Sequence, residues 1–257
     1  MSRFSTLTAL CLGAAALAAT ACTNADPGER PPVLDALESS GLTIVEEFDS
    51  DDGLRAFAAV AGQQPIAVYV TAGGDAIVGT RVDSRGNERD LMKLQELVAK
   101  PMGDRIWSQL EASEWVLDGS PDAPRVVYTF SDPNCPFCNQ LWQETRPWVE
   151  AGKVQLRHVM VGVIKQDSAN KVATILASKD PSARLAENEQ RFRQGGVPAA
   201  ASVPPNIRSV LESNHLLMME LGFRGTPALV FRDEDGTVQR RGGMPQGNDL
   251  DVVMGPR

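Results

Sequence analysis

The sequence predicts an α+β protein in three parts: a small strand-rich unit near the N-terminus, a linker helix, and a larger unit whose sheet is interrupted by a helical insertion. Three observations predict it. Short apolar runs bounded by Gly, Asp and Pro cluster between residues 42 and 82, and recur at 124–132, 153–163 and 228–243. Residues 87–115 instead carry apolar side chains at helical spacing with charges between them. Residues 165–222 are mostly helix formers, broken at Gly195, Gly196, Pro198, Pro204 and Pro205, and they lie between two strand-like runs.

A chain of 257 residues, 42% of them hydrophobic, holds one large folded domain or two ordinary ones. With 33 acidic against 25 basic residues the net charge is -8, which argues against a surface that tracks phosphates and so against nucleic acid as a partner.

The start, MSRFSTLTALCLGAAALAATAC, has the layout of a secretory signal over residues 1–21: Arg3 in a short basic region, an apolar run at 7–19, then small residues. The apolar run is shorter than the roughly 20 residues a spanning helix needs. Ala19, Thr20 and Ala21 suit ordinary cleavage, while Cys22 stands where a bacterial lipoprotein carries its lipid; both outcomes are open. Either one leads to an extracytoplasmic compartment. Residues 22–34, polar and proline-rich, form a flexible tether.

In the first unit, residues 35–86, strands are expected at LTIVEEF, PIAVYVT and AIVGTRV, the last two joined by a hairpin turn at AGGD. A short helix is expected at 52–61. The linker, 87–118, places Leu91, Leu94, Leu97 and Val98 on one helix face, and Pro101 is expected to bend or break it before a shorter helix follows. DGSPDA, at 118–123, is a dense turn signal and marks the boundary to the second unit, 119–257. There PRVVYTFSD suits a central strand and runs straight into the helical stretch CPFCNQLWQETRPWVE. KVQLRHVMVGV is the next strand, ALVFRDEDGTVQRRGG a hairpin turning at Asp235 and Gly236, and GNDLDVVMG a last helix capped at Asn248.

Of the four cysteines, Cys11 lies in the leader and Cys22 at its edge, so Cys135 and Cys138 are the sulfurs of the folded protein. As a structural staple the pair closes a two-residue loop and removes little unfolded-state entropy. As a metal site it lacks further ligands, because His158 and His215 lie far apart in sequence and each suits a structural role. As a reactive dithiol it is well placed. A cysteine at a helix N-terminus faces unpaired N–H groups and the positive end of the helix dipole, which favour the attacking thiolate. Cys138 follows within one turn, near enough to close a disulfide, and Pro136 is tolerated in the first turn, where no donor is needed. Asp132 is open to two readings, a charge that tunes Cys135 or a solvated turn residue. Thr226-Pro227 stands just before a strand, where only about 5% of X-Pro bonds are cis.

The segments FSDPNCPFCNQLWQETRPWVEAGKVQLRHVMVGVIK, ILASKDP, GTPAL and TVQRRGGMPQGNDLDVVMG together resemble the periplasmic thiol:disulfide interchange proteins of the DsbG/DsbC family, nearest its DsbG members because of the Cys-Pro-aromatic-Cys site. The likeness covers residues 119–257; over the first unit only length and strand order agree. It implies a thioredoxin-like fold with a helical insertion, and a cystatin-like dimerisation domain at 35–86 that builds a V-shaped homodimer. It implies Cys135 as nucleophile, Cys138 as resolving thiol, and Thr226 with a cis Pro227 as the loop that binds substrate, beside Pro136 and Phe137. Phe137 departs from the tyrosine associated with DsbG, keeping the ring and losing the hydroxyl.

The function implied is a disulfide isomerase or reductase, with sulfenic acid on a lone cysteine as a further substrate and chaperone-like binding of misfolded exported proteins. No cofactor is implied. Electrons would come from a membrane thiol reductant of the DsbD type. The competing readings are a DsbA-like oxidase, disfavoured by the extra N-terminal unit and by Thr226 in place of valine, and a holdase chaperone without redox chemistry.

Overall fold

The computed structural model describes residues 29–51 and 53–256, so the leader and Cys22 lie outside the described residues. Helix α1 (Val33–Ser39) precedes four antiparallel strands, β1 (Leu42–Asp49), β2 (Arg55–Ala61), β3 (Gln64–Val70) and β4 (Ala76–Gly79), ordered β1-β2-β3-β4. The helix expected at 52–61 is therefore replaced by a central strand, β2. The reason is two-sided burial. Ala56, Ala58 and Val60 pack with Leu94 and Val98 of the linker helix, whereas Phe57 and Ala59 pack with Leu34 of α1. Only a period of two sends alternate residues to two such layers while both neighbouring strands satisfy the backbone.

Helix α2 (Leu91–Ala112) runs unbroken through Pro101, against the expected bend or break. Leu94 and Val98 bury against the first sheet, Ile106 and Leu110 against the second unit. Full burial of a large aliphatic side chain is worth about 2 kcal/mol, so four of them outweigh the roughly 3 kcal/mol a proline costs inside a helix. Asp104 on this helix also pairs with Arg232 at 3.0 Å.

The second sheet comprises β5 (Val116–Asp118), β6 (Arg125–Ser131), β7 (Val154–Met160), β8 (Ala228–Arg232) and β9 (Val238–Gly242), ordered β5-β7-β6-β8-β9 with only β6 and β7 parallel. The short β5 has no counterpart in the sequence reading. Helix α3 (Pro136–Glu150) and helix α7 (Asp249–Met254) cover one face, where Val127, Leu141, Trp148, Leu156 and Val253 meet. Helix α2 and helix α6 (Pro205–Glu220) cover the other, around Tyr128, Phe130, Val159 and Met218. The insertion between β7 and β8 consists of α4 (Ser168–Leu176), α5 (Pro181–Gln190), a short 3-10 turn (Phe192–Gln194) and α6. Asn248 precedes α7 as expected, but it has helical backbone angles and makes no side-chain cap bond. Instead Trp148 Nε1 donates to the Gly255 carbonyl at 2.8 Å and Arg125 donates to those of Val252 and Val253, holding the end of that helix.

Candidate active site

The two thiols lie where the central strand β6 of the second sheet leads into helix α3. After Ser131 the chain makes a tight turn closed by the Cys135 N–H donating to the Asp132 carbonyl at 3.0 Å. Cys135 is the N-cap of α3, in extended conformation, and its Sγ accepts the Cys138 N–H at 3.2 Å. Pro136 fills the first helical position, so no donor is lost there. Pro136 and Phe137 face outward, with Phe137 57% exposed, while both cysteines are buried.

Asp132 is not the solvated turn residue of the second reading. It is only 1% exposed, and its carboxylate is a hub: Oδ1 accepts from the Asn134 N–H (2.9 Å) and the Ser168 hydroxyl (2.8 Å), Oδ2 from the N–H groups of Val163 (2.7 Å) and Ile164 (3.0 Å). The turn is also tied to the helical insertion. Lys171 Nζ donates to Asn134 Oδ1 and to the Gly195 carbonyl, each at 2.7 Å, and Asn188 Nδ2 donates to the Pro133 carbonyl at 3.1 Å. Sequence reasoning missed Ser168, Lys171 and Asn188. Their one signal is weak: polar residues at buried positions of an otherwise ordinary helical run, with partners more than thirty residues away.

Thr226-Pro227 is a cis peptide, as expected, and it opposes the dithiol. A protonated Cys135 donates its S–H to the Thr226 carbonyl at 3.3 Å. The Thr226 hydroxyl is buried and faces the two thiols. Cys135, Cys138, Thr226 and Pro227 thus meet in space, with Pro136 and Phe137 on the rim.

This environment separates the two thiols. Cys135 is lowered from 9.0 to about 7, first by a hydrogen bond from the Cys138 thiol, against the opposing effect of burial, and then by the Thr226 side chain and the N–H groups of Cys138 and Phe137. Cys138 is raised well above 9.0, chiefly by burial and then by its bond to, and repulsion from, an ionised Cys135. Of the two, Cys135 is therefore the one that ionises near neutral pH, while Cys138 remains a thiol.

His158 does not join the site. It is buried beneath it, with Nδ1 3.1 Å from Ser131 Oγ and Nε2 3.5 Å from Asp118 Oδ2, and the same carboxylate is gripped by Arg146. Burial pushes the Asp118 carboxyl up, but the bonds from His158 and Arg146 win and hold it at about 2. His215 is exposed on α6. Among the described residues no group of three or more His, Cys, Asp and Glu side chains is placed to hold a metal ion.

A family model described as a thioredoxin-like domain matches residues 120–254. The thiol:disulfide interchange protein DsbG of Pseudomonas aeruginosa is 41% identical over 230 residues, 89% of this chain and 90% of that protein. DsbG of Escherichia coli is 38% identical over 232 residues, 88% of this chain and 92% of that protein. A probable DsbC of Bordetella avium is 31% identical over 107 residues, 42% of this chain and 35% of that protein.

Proposed function

The chain belongs to the thiol:disulfide interchange proteins of the DsbG/DsbC family, and from that premise we propose that Cys135 and Cys138 are the pair it uses for exchange. It is a periplasmic thiol:disulfide oxidoreductase and isomerase acting on exported proteins; its relatives do not favour the oxidase or the holdase reading. The observation that supports the assignment best is the position of Cys135 as N-cap, its sulfur bonded to the Cys138 N–H and facing the Thr226 carbonyl.

In the reaction, the Cys135 thiolate attacks one sulfur of a substrate disulfide, forming a mixed disulfide and releasing the other substrate sulfur as thiolate. That thiolate re-pairs within the substrate and frees Cys135, which is isomerisation. Alternatively Cys138 gives up its proton and attacks Cys135 Sγ, releasing a reduced substrate and leaving Cys135 and Cys138 joined. Two electrons from a DsbD-type membrane reductant then restore the dithiol. A sulfenic acid on a substrate cysteine enters the same route, losing water as the mixed disulfide forms. Thr226, with Pro227 behind it, binds the extended substrate chain, and Pro136 and Phe137 contact it from the helix side.

Residues 35–86 serve as the dimerisation domain, 87–118 as the linker and 119–257 as the exchange domain. Support for dimerisation comes from β4, an edge strand with Ile77 57% and Val78 39% exposed. Residues 1–21 are the export signal, and Cys22 is either the first mature residue or the lipid attachment point. The test of the exchange pair is thiol trapping of the full chain. Cys135→Ala should abolish mixed disulfides with exported proteins, and Cys138→Ala should accumulate them; mixed disulfides that persist without Cys135 would overturn the assignment.

A further inference from the structure

The second step of exchange asks a buried group to give up a proton. Cys138 is 4% exposed and its thiol is held well above its ordinary range, yet it must become a thiolate before it can attack Cys135. We propose that Ser131 and His158 form a relay that takes this proton, with Asp118 holding the imidazolium that results; the proposal rests on the exchange reading above.

The placement follows from side-chain alternation. Val127, Thr129 and Ser131 point from β6 to the sheet face that α3 covers, where Val127 meets Leu141. Cys138 lies one turn before Leu141 on the buried side of the same helix, and the N–H of Asp132, the residue after Ser131, bonds to its sulfur. The Ser131 hydroxyl and the Cys138 thiol thus share one layer. On the neighbouring strand His158 stands level with Thr129, and its Nδ1 is 3.1 Å from Ser131 Oγ. Its other nitrogen is 3.5 Å from Asp118 Oδ2 on β5, a carboxylate that is held at about 2 and so is ionised at neutral pH. Three further groups face this chain. Arg146 of α3 shares Asp118, Glu189 of α5 attracts a protonated His158 although burial pushes its own carboxyl up, and the Thr129 hydroxyl is 3.4 Å from Ser131 Oγ.

Other acceptors are already bonded. Asp132 takes four hydrogen bonds that protonation would weaken, and the Glu189 oxygens accept from Asn139 and Asn188. A serine hydroxyl can accept from a thiol and donate to an imidazole at once, and with the Nε2 proton turned toward Asp118 the imidazole accepts at Nδ1. In the mixed disulfide, the Cys138 proton moves to Ser131 Oγ as the Ser131 proton moves to His158 Nδ1. The Cys138 thiolate attacks Cys135 Sγ, the bond from Cys135 to the substrate sulfur breaks, and that sulfur leaves with the electron pair. The proton waits on His158 and returns along the same path when the reductant restores the dithiol.

The test is the reaction of the full reduced protein with a symmetric nitrobenzoate disulfide, followed by stopped flow. Cys135 releases the first coloured thiolate and becomes a mixed disulfide; attack by Cys138 then releases the second. At neutral pH Ser131→Ala should slow the second phase about a hundredfold, the lower end of what a positioned proton acceptor contributes, and leave the first unchanged. His158→Gln, which keeps a polar group beside Ser131 but cannot be protonated, should do the same. The gap should close at alkaline pH, where hydroxide takes the proton directly. Either variant resolving at the wild-type rate overturns the relay, and so does slowing that persists equally at alkaline pH, the mark of a displaced helix. Should His158→Gln fail to fold, Ser131→Ala decides alone. A wild type with no first phase overturns the exchange reading and the relay with it.

Discussion

Cys135 and Cys138 have the same chemistry and share one helical turn, yet their environments drive their acidities apart. Cys135 collects donors: the Cys138 thiol, the Thr226 side chain and two backbone N–H groups. Cys138 is raised chiefly by burial and then by its bond to, and repulsion from, an ionised Cys135. Cys135, lowered to about 7, should be alkylated at a rate that rises with pH through about 7 and levels off above it, because only the thiolate reacts. Since the Cys138 thiol is its largest stabiliser, Cys138→Ala should move that midpoint up toward 9.0, followed by thiolate absorbance in the ultraviolet; an unmoved midpoint would assign the effect to the helix terminus instead. The Cys-x-x-Cys spacing and the Pro at the first helical position were legible in the sequence because each is a local signal, whereas the cis Thr226-Pro227 opposite them was expected only from the resemblance to the family. Asp132, Lys171 and Asn188 were not, since what they do depends on partners brought from distant parts of the chain.

Elements tell a similar story about competing local and tertiary terms. The run RAFAAVA contains good helix formers and good strand formers, so composition leaves its state undecided, and burial on both faces makes it β2. Pro101 is a sound local reason to end a helix, and α2 passes through it because apolar side chains at both ends are locked into two different cores. The proline therefore remains a local defect in the linker. As it is exposed, Pro101→Ala should stabilise the protein by about 2 kcal/mol, the helix-propensity gain less the added freedom of the unfolded chain. Urea unfolding of the full chain measures it, and an equal or lower stability would mean that the helix has adapted fully to the proline. The three residues of β5 left no pattern to find, yet they carry Asp118, whose bonds to Arg146 and His158 brace the sheet under the dithiol.

At the scale of the whole molecule, a single helix joins a four-stranded sheet to a five-stranded one, and the dithiol lies at the end of the latter. If residues 35–86 pair two chains through β4, a charge on that edge should separate them. Val78→Asp in the full chain should shift the mass measured in solution from dimer toward monomer while leaving exchange with glutathione disulfide intact. A wild type that is monomeric at micromolar concentration would remove dimerisation as the role of that unit. By itself the sequence determined the class of chemistry, because two cysteines three positions apart at a helix start act through bonds and spacing that are written locally. It also determined the broad order of strands and helices, through hydrophobic periodicity. Only the tertiary structure decided which sulfur ionises first and how the turn before it is held. Those depend on desolvation and on hydrogen bonds between residues 31 to 91 positions apart, and such contacts exist only once the insertion and the sheet have closed around the site.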